Sequence, residues 1–188
     1  LKEIHYTGVT VMFKKTLLEE YTKAKKSTGI AAINLKEGDS IASIELMDEE
    51  DIILITKQGM SIHFETKDIA AIGRVTAGVK TIKLADGDEV IAGLPVKDVK
   101  ATVAVFSEDG LAKKTAIDEL PIQGRSGKGL AIYKGIIAGA AMVNDEDSLL
   151  LIGKNSICIA ATDIPLLGRT TLGNKMIKDS KINSVVKL

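Results

Sequence analysis

Four glycines recur along the chain at nearly constant intervals: Gly29, Gly78, Gly129 and Gly173 follow one another at spacings of 49, 51 and 44 residues. A basic residue stands four positions before each of them, Lys25, Arg74, Arg125 and Arg169 respectively. A period of this length marks a chain of repeated supersecondary units, each too small to bury its own apolar surface and stable only when stacked on its neighbours. A second column of turn residues, Gly8, Gly59, Gly110 and Ser156, precedes the first, and Glu37-Gly38-Asp39 recurs as Asp86-Gly87-Asp88. Aligned on these landmarks, the modules run over residues 1–43, 44–93, 94–141 and 142–188, forming one repeat domain over residues 1–188.

The second module shows the local pattern most plainly. Residues 51–56 are a short apolar run, Lys57-Gln58-Gly59 is a turn, and residues 60–64 alternate apolar with polar, which predicts a hairpin. Residues 79–84 predict a further strand, Asp86-Gly87-Asp88 a turn, and residues 89–92 another strand. The third module repeats this over 102–106, 111–114 and 129–133. Helical periodicity is confined to residues 14–26, where Leu17, Leu18 and Tyr21 fit a short helix. About four short antiparallel strands per module predict an all-β protein of four stacked blades, in a closed, open or truncated ring.

With 45% hydrophobic residues but only 3% aromatic ones and no tryptophan, aliphatic side chains must fill nearly all of the core, and base-stacking platforms are not expected. No apolar run approaches the roughly 20 residues that a membrane-spanning helix needs, and residues 1–5 lack a signal-peptide layout, so a cytoplasmic protein without membrane contact is expected. The single cysteine, Cys158, lies in an apolar run and reads as a buried, inert thiol.

The chain has 25 basic and 25 acidic residues, which argues against a wholly basic nucleic-acid binder. Counted by module, basic against acidic residues run 7 to 5, 5 to 10, 7 to 5 and 6 to 5, so the second module carries the excess acid. Screening confines each charge's influence to about 8 Å at physiological ionic strength, so a basic stripe on a neutral body is compatible with these counts.

In the second module the repeat reads Gly73-Arg74-Val75-Thr76-Ala77-Gly78-Val79-Lys80-Thr81-Ile82-Lys83-Leu84-Ala85-Asp86-Gly87-Asp88, with a looser copy at Gly168-Arg169-Thr170-Thr171-Leu172-Gly173. This pattern resembles the carboxy-terminal β-pinwheel domain of the A subunit of bacterial type IIA topoisomerases, DNA gyrase and topoisomerase IV, over essentially the whole chain. Gln123-Gly124-Arg125-Ser126-Gly127-Lys128-Gly129 resembles that family's gyrase-A box. Gly124 stands where the family has a basic residue, Ser126 replaces a glycine, and the box falls in the third of four modules. These departures favour a topoisomerase IV-like domain, with a truncated gyrase-like domain as the alternative. The resemblance implies a non-catalytic, DNA-bending or wrapping domain without a cofactor. Its implied partners are double-stranded DNA, the catalytic core and the B subunit, in a bacterial, nucleoid-associated setting.

The cations at equivalent addresses are the expected DNA contacts: Lys25, Arg74, Arg125 and Arg169 before the glycines, Lys83, Lys134 and Lys178 five positions after, and Lys80 and Lys175 two after. Gln123 and Lys128 of the box complete the set. Arginine bridges two phosphate oxygens and lysine acts as a point charge, so such a band would hold duplex DNA by its backbone with little sequence preference. The alternative is a propeller-like scaffold for protein partners without DNA affinity. Residues 124–129 lack the first glycine and the final Ser or Thr of a P-loop. His5 and His63 have no metal-ligand companions at zinc spacing and read as strand-surface residues, Asp39 and Asp88 as turn formers, and Tyr6, Tyr21 and Tyr133 lack a DNA-cleavage context.

Overall fold

A computed structural model describes residues 11–22, 29–35, 37–38, 40–48 and 50–188. The strands are β1 (Met12–Phe13), β2 (Asp51–Thr56), β3 (Met60–Phe64), β4 (Val79–Lys80), β5 (Val90–Val96), β6 (Thr102–Ser107) and β7 (Leu111–Ala116). They continue with β8 (Leu130–Ala131), β9 (Ile137–Val143), β10 (Ser148–Gly153), β11 (Ile157–Ala160), β12 (Asn174–Lys175) and β13 (Ile182–Lys187). Of the expected helix over 14–26, only Glu19–Thr22 is helical among the described residues.

Four antiparallel sheets form among the described residues, in the orders β1-β4, β5-β2-β3-β8, β12-β7-β6-β9 and β11-β10-β13, and the sheets are not closed into one barrel. The hairpins β2–β3 and β6–β7 lie where the alternation places them. The blades, however, do not coincide with the modules. The strand after Gly78, Gly129 and Gly173 leaves its own module: β4 pairs with β1, β8 with β3 and β12 with β7, each a strand of the preceding module. Residues 79–84 therefore give only a two-residue strand, and it belongs to the preceding blade.

This exchange explains the glycine column. Gly78, Gly129 and Gly173 have φ of 82°, 75° and 86°. A Cβ on them would lie 2.3, 2.2 and 2.2 Å from the carbonyl oxygens of Phe13, Ser61 and Ala112 on the accepting strands. Only glycine combines the left-handed backbone with so close an approach. In the other column, Gly59 has φ 88° and would meet the Tyr133 carbonyl at 2.2 Å. Ser156 stands three residues after the bulged Gly153, as Gly59 and Gly110 do after Thr56 and Ser107, but it does not take their left-handed backbone. From the bulged residue to the following 3-10 turn there are 10 residues in the third module (Ser107 to Ile117) but 8 in the fourth (Gly153 to Ala161), so the last hairpin is shorter.

The central strands β2 and β6 are apolar on both faces because both faces are covered. Ile52 and Leu54 pack with Phe13, Met47, Ile62 and Phe64 between the first two sheets, and Phe13 meets Phe64 edge-on at 5.6 Å. Ile53 and Ile55 point the other way, into a cluster with Val103, Val105, Leu120 and Ile137. Ala104 and Phe106 continue into a third cluster with Leu149, Leu151, Ile159 and Ile182. Each fully buried aliphatic side chain contributes about 1.5–3 kcal/mol, so the stacked faces rather than any single sheet stabilise the domain.

Strands β5, β9 and β13 neighbour one another and form the inner edges of their sheets. The exchanged strands β4, β8 and β12 lie at the opposite, outer edges. Cys158 is exposed on β11 instead of buried, because β11 is itself an edge strand. His63 is buried, not on the surface: its Nδ1–H donates to the Leu120 carbonyl at 2.6 Å, which fixes the tautomer.

Candidate nucleic-acid interface

The outer edges carry the repeated cations. Lys80 and Lys175 lie on the exchanged strands β4 and β12, and Lys83, Lys134 and Lys178 on the segments that follow β4, β8 and β12. All five are exposed. Lys175 donates to the Asp109 carbonyl at 2.5 Å. Lys25 lies outside the described residues, as do His5, Tyr6, Gly8 and Asp39.

The loop from Gln123 to Gly129 is clasped to the preceding module through its backbone. The Gln123 amide donates to the His63 carbonyl at 2.7 Å, Ser126 to Thr81 at 2.5 Å, and the Lys83 amide returns to Gly127 at 2.8 Å. Ser126 takes φ 69°, an uncommon conformation for a residue with a Cβ. The clasp sets Lys83 and Lys128 around one cavity of about 420 Å³, which Ile82, Asp86 and Asp88 also line. Asp88 is a structural residue as well as a turn former: its carboxylate accepts from the Gln58 and Glu89 amides, each at 2.9 Å.

The three described arginines at equivalent addresses differ. Arg74 and Arg169 are half-buried, and each donates a guanidinium hydrogen bond at 2.8 Å to a backbone carbonyl of the preceding module, Ala31 and Ala131. The Arg125 side chain is exposed and makes no hydrogen bond or ion pair among the described residues. The same holds for Lys80, Lys83, Lys128, Lys134 and Lys178. Carboxylates pair elsewhere, in Lys57–Glu89, Lys67–Glu65, Lys114–Asp145 and Lys187–Asp147. The uncapped cations therefore keep their charge for an external anion, whereas Arg74 and Arg169 also tie neighbouring blades together.

Buried lysines are the feature that composition hides. Lys14, Lys15, Lys113 and Lys114 are all buried, although consecutive lysines normally mark a solvated stretch. The tripeptide Lys-Lys-Thr at 14–16 and again at 113–115 was the available signal. Lys113 Nζ donates to the carbonyls of Gly168 and Arg169 at 2.7 and 2.5 Å. Burial pushes its pKa down from 10.5 to about 8, with the nearby Glu119 opposing and Arg169 adding to the shift. The unfolded chain holds this proton to higher pH than the folded one, so Lys113 adds stability above about 10.5 that is progressively lost as pH falls to about 8. Denaturant melts at several pH values should show the parent chain gaining on Lys113→Ile between pH 8 and 10.5. A pH-independent difference would contradict the shift.

Among the described residues, no group of three or more His, Cys, Asp or Glu side chains converges to hold a metal ion. No helix among them is long and apolar enough to cross a membrane.

Comparison with known proteins places this geometry. The family model described as the DNA gyrase C-terminal domain, a beta-propeller, matches residues 12–46, 50–97 and 101–152, well over half of the chain. The gyrase A protein of Kosmotoga olearia is 38% identical over 187 residues, covering 93% of this chain and 23% of that protein. That of Escherichia coli K12 is 30% identical, covering 93% of this chain and 21% of its own length. The chain thus spans less than a quarter of the curated relatives it matches. Among solved structures, the C-terminal domain of DNA topoisomerase IV superposes with a TM-score of 0.92 at 25% identity, covering all of this chain and 61% of the other. The DNA gyrase A C-terminal domain superposes with a TM-score of 0.86 at 23% identity, covering all of this chain and 65% of the other, and supports the fold alone. The outer-strand exchange, the glycine column and these matches together show that the chain belongs to the DNA gyrase C-terminal domain family of beta-propellers.

Proposed function

We propose that this chain is the part of a type IIA topoisomerase gyrase-A-type protein that holds duplex DNA against its outer edge and bends it. The observation that carries this reading is the set of exposed cations without carboxylate partners on or after the outer strands: Lys80, Lys83, Lys134 and Lys178, with Arg125 and Lys128 in the box loop. Equivalent positions in successive blades repeat the charge along the stack. Contacts of this kind address phosphates and carry little sequence information. Smooth bending of a 20–30 bp site through 40–90° costs about 1–6 kcal/mol, within reach of several phosphate contacts.

The catalytic core and B subunit of the parent enzyme are the proposed protein partners, and catalysis lies with them. The curated relatives reported above are gyrase A proteins, which favours the gyrase-like reading over the topoisomerase IV-like one. A plasmid relaxation assay with a nicking–closing enzyme tests the bending directly. Addition of the chain is expected to leave a shifted linking number after relaxation. An unchanged distribution with bound protein would mean contact without wrapping.

A further inference from the structure

The strand exchange gives each arginine loop one facing position on the strand it joins. Strand pairing makes Met12, Met60 and Leu111 equivalent, since they oppose Lys80, Ala131 and Lys175 on the exchanged strands. Two residues further along stand Lys14, Ile62 and Lys113. Gly78 and Gly173 approach the Cβ atoms of Lys14 and Lys113 equally, each at a distance of 3.1 Å from where their own Cβ would be.

Where the facing residue is lysine, the loop is tied down. Lys14 Nζ donates to the Arg74 carbonyl and to Ala32 at 3.2 Å, and Lys113 holds the carbonyls of Gly168 and Arg169. In both loops the threonine two residues after the arginine closes onto the first glycine, Thr76 onto Gly73 at 2.6 Å and Thr171 onto Gly168 at 2.8 Å. In both, the guanidinium turns back to a backbone carbonyl. Where the facing residue is isoleucine, none of this is found. Ile62 packs in the apolar core, Gly127 replaces the threonine, and Arg125 is exposed without a partner among the described residues.

We infer that this facing position is a latch: lysine there fixes the following Gly-Arg loop so that its arginine binds protein backbone, and isoleucine releases the arginine to an external phosphate. Lys14, Ile62 and Lys113 are thus positioning residues. A buried ammonium that donates to loop carbonyls fixes the orientation of those peptide planes, and with it the direction in which the arginine side chain leaves the backbone. The inference rests on the proposed DNA-holding reading for the identity of the anion, but not for the latch itself.

The test exchanges the two residue types between modules, Ile62→Lys and Lys113→Ile, in the 188-residue chain. Without DNA, hydrogen–deuterium exchange of residues 168–172 is expected to quicken about tenfold in Lys113→Ile, the size of effect that loss of a charge-assisted hydrogen bond implies. Exchange of residues 124–128 is expected to slow in Ile62→Lys. With duplex DNA, Ile62→Lys should weaken binding as much as Arg125→Ala, and combining the two should add nothing. Arg169→Ala should become harmful only in the Lys113→Ile background. Folded variants with unchanged exchange in both loops would overturn the latch, as would additive effects of Ile62→Lys and Arg125→Ala. If Lys113→Ile does not fold, Lys14→Ile puts the same question to Arg74. Equal guanidinium protection of Arg74, Arg125 and Arg169 in the unmodified chain would overturn the latch outright. Altered exchange in a chain that binds no duplex would sustain the latch and reject the DNA reading.

Discussion

Alanine at both Arg125 and Lys128 is expected to weaken duplex binding at every DNA sequence and to flatten the dependence of log K on log salt by about 0.9 per lost phosphate contact, hence about 1.8 for the pair. The expectation follows from position rather than from charge alone. Both side chains are exposed, neither pairs with a carboxylate among the described residues, and both sit on a loop clasped to residues 81–83. Their removal deletes charge without unmaking a bond within the protein, so the melting curve should stay in place. Arg74→Ala is the informative contrast. It removes a 2.8 Å bond to Ala31 between modules, so it should cost about 1 kcal/mol of stability whatever it does to DNA. Comparing salt slopes and denaturation midpoints of the two variants separates a phosphate contact from a structural tie.

The largest effect on folding is expected at Gly129. Alanine there would hold a left-handed backbone at φ 75°, which costs an L-residue roughly 1–2 kcal/mol. Its Cβ would also lie 2.2 Å from the Ser61 carbonyl oxygen, and backbone on a paired strand cannot retreat without releasing β8 from β3. A loss of about 3 kcal/mol or more is expected, with weakened docking of the box loop. Gly87→Ala is the control. Its φ of 72° is as unfavourable, but nothing lies within 4 Å of the added atom, so only the conformational cost remains. Equal destabilisation by both, measured by chemical denaturation, would show that the close approach at Gly129 does not matter.

Much of the fold was legible because the landmark residues are those whose backbone has no alternative. The glycine column marks the crossings between blades, Gly87 takes the positive φ that its turn requires, and the runs at 51–56 and 102–107 read as central strands. The exchange itself was not legible. A two-residue strand such as Leu130–Ala131 pairs with a strand nearly seventy residues away, where the Ser61 hydroxyl donates to the Leu130 carbonyl, and local alternation carries no trace of that choice.

The site was legible in the same uneven way. Equivalent addresses located the outer cations, but one address serves two purposes: Arg74 and Arg169 reach back to Ala31 and Ala131, and Arg125 does not. What distinguishes them is the residue at 14, 62 or 113, which is far from the arginine in sequence and adjacent to its loop in space. Lys113 was missed for a related reason. In a strand, neighbouring residues face opposite sides, so Lys113-Lys114 reads as half solvent-facing, yet blades cover both sides of β7.

Titration of a fluorescent 30-base-pair duplex with the chain over a series of salt concentrations tests the central claim most directly. The expected result is binding at low salt that falls linearly in log K against log salt, with nearly the same slope for unrelated duplex sequences. Failure to bind at low salt, or an affinity indifferent to salt, would contradict a phosphate-holding outer edge and leave the protein scaffold as the reading of this fold.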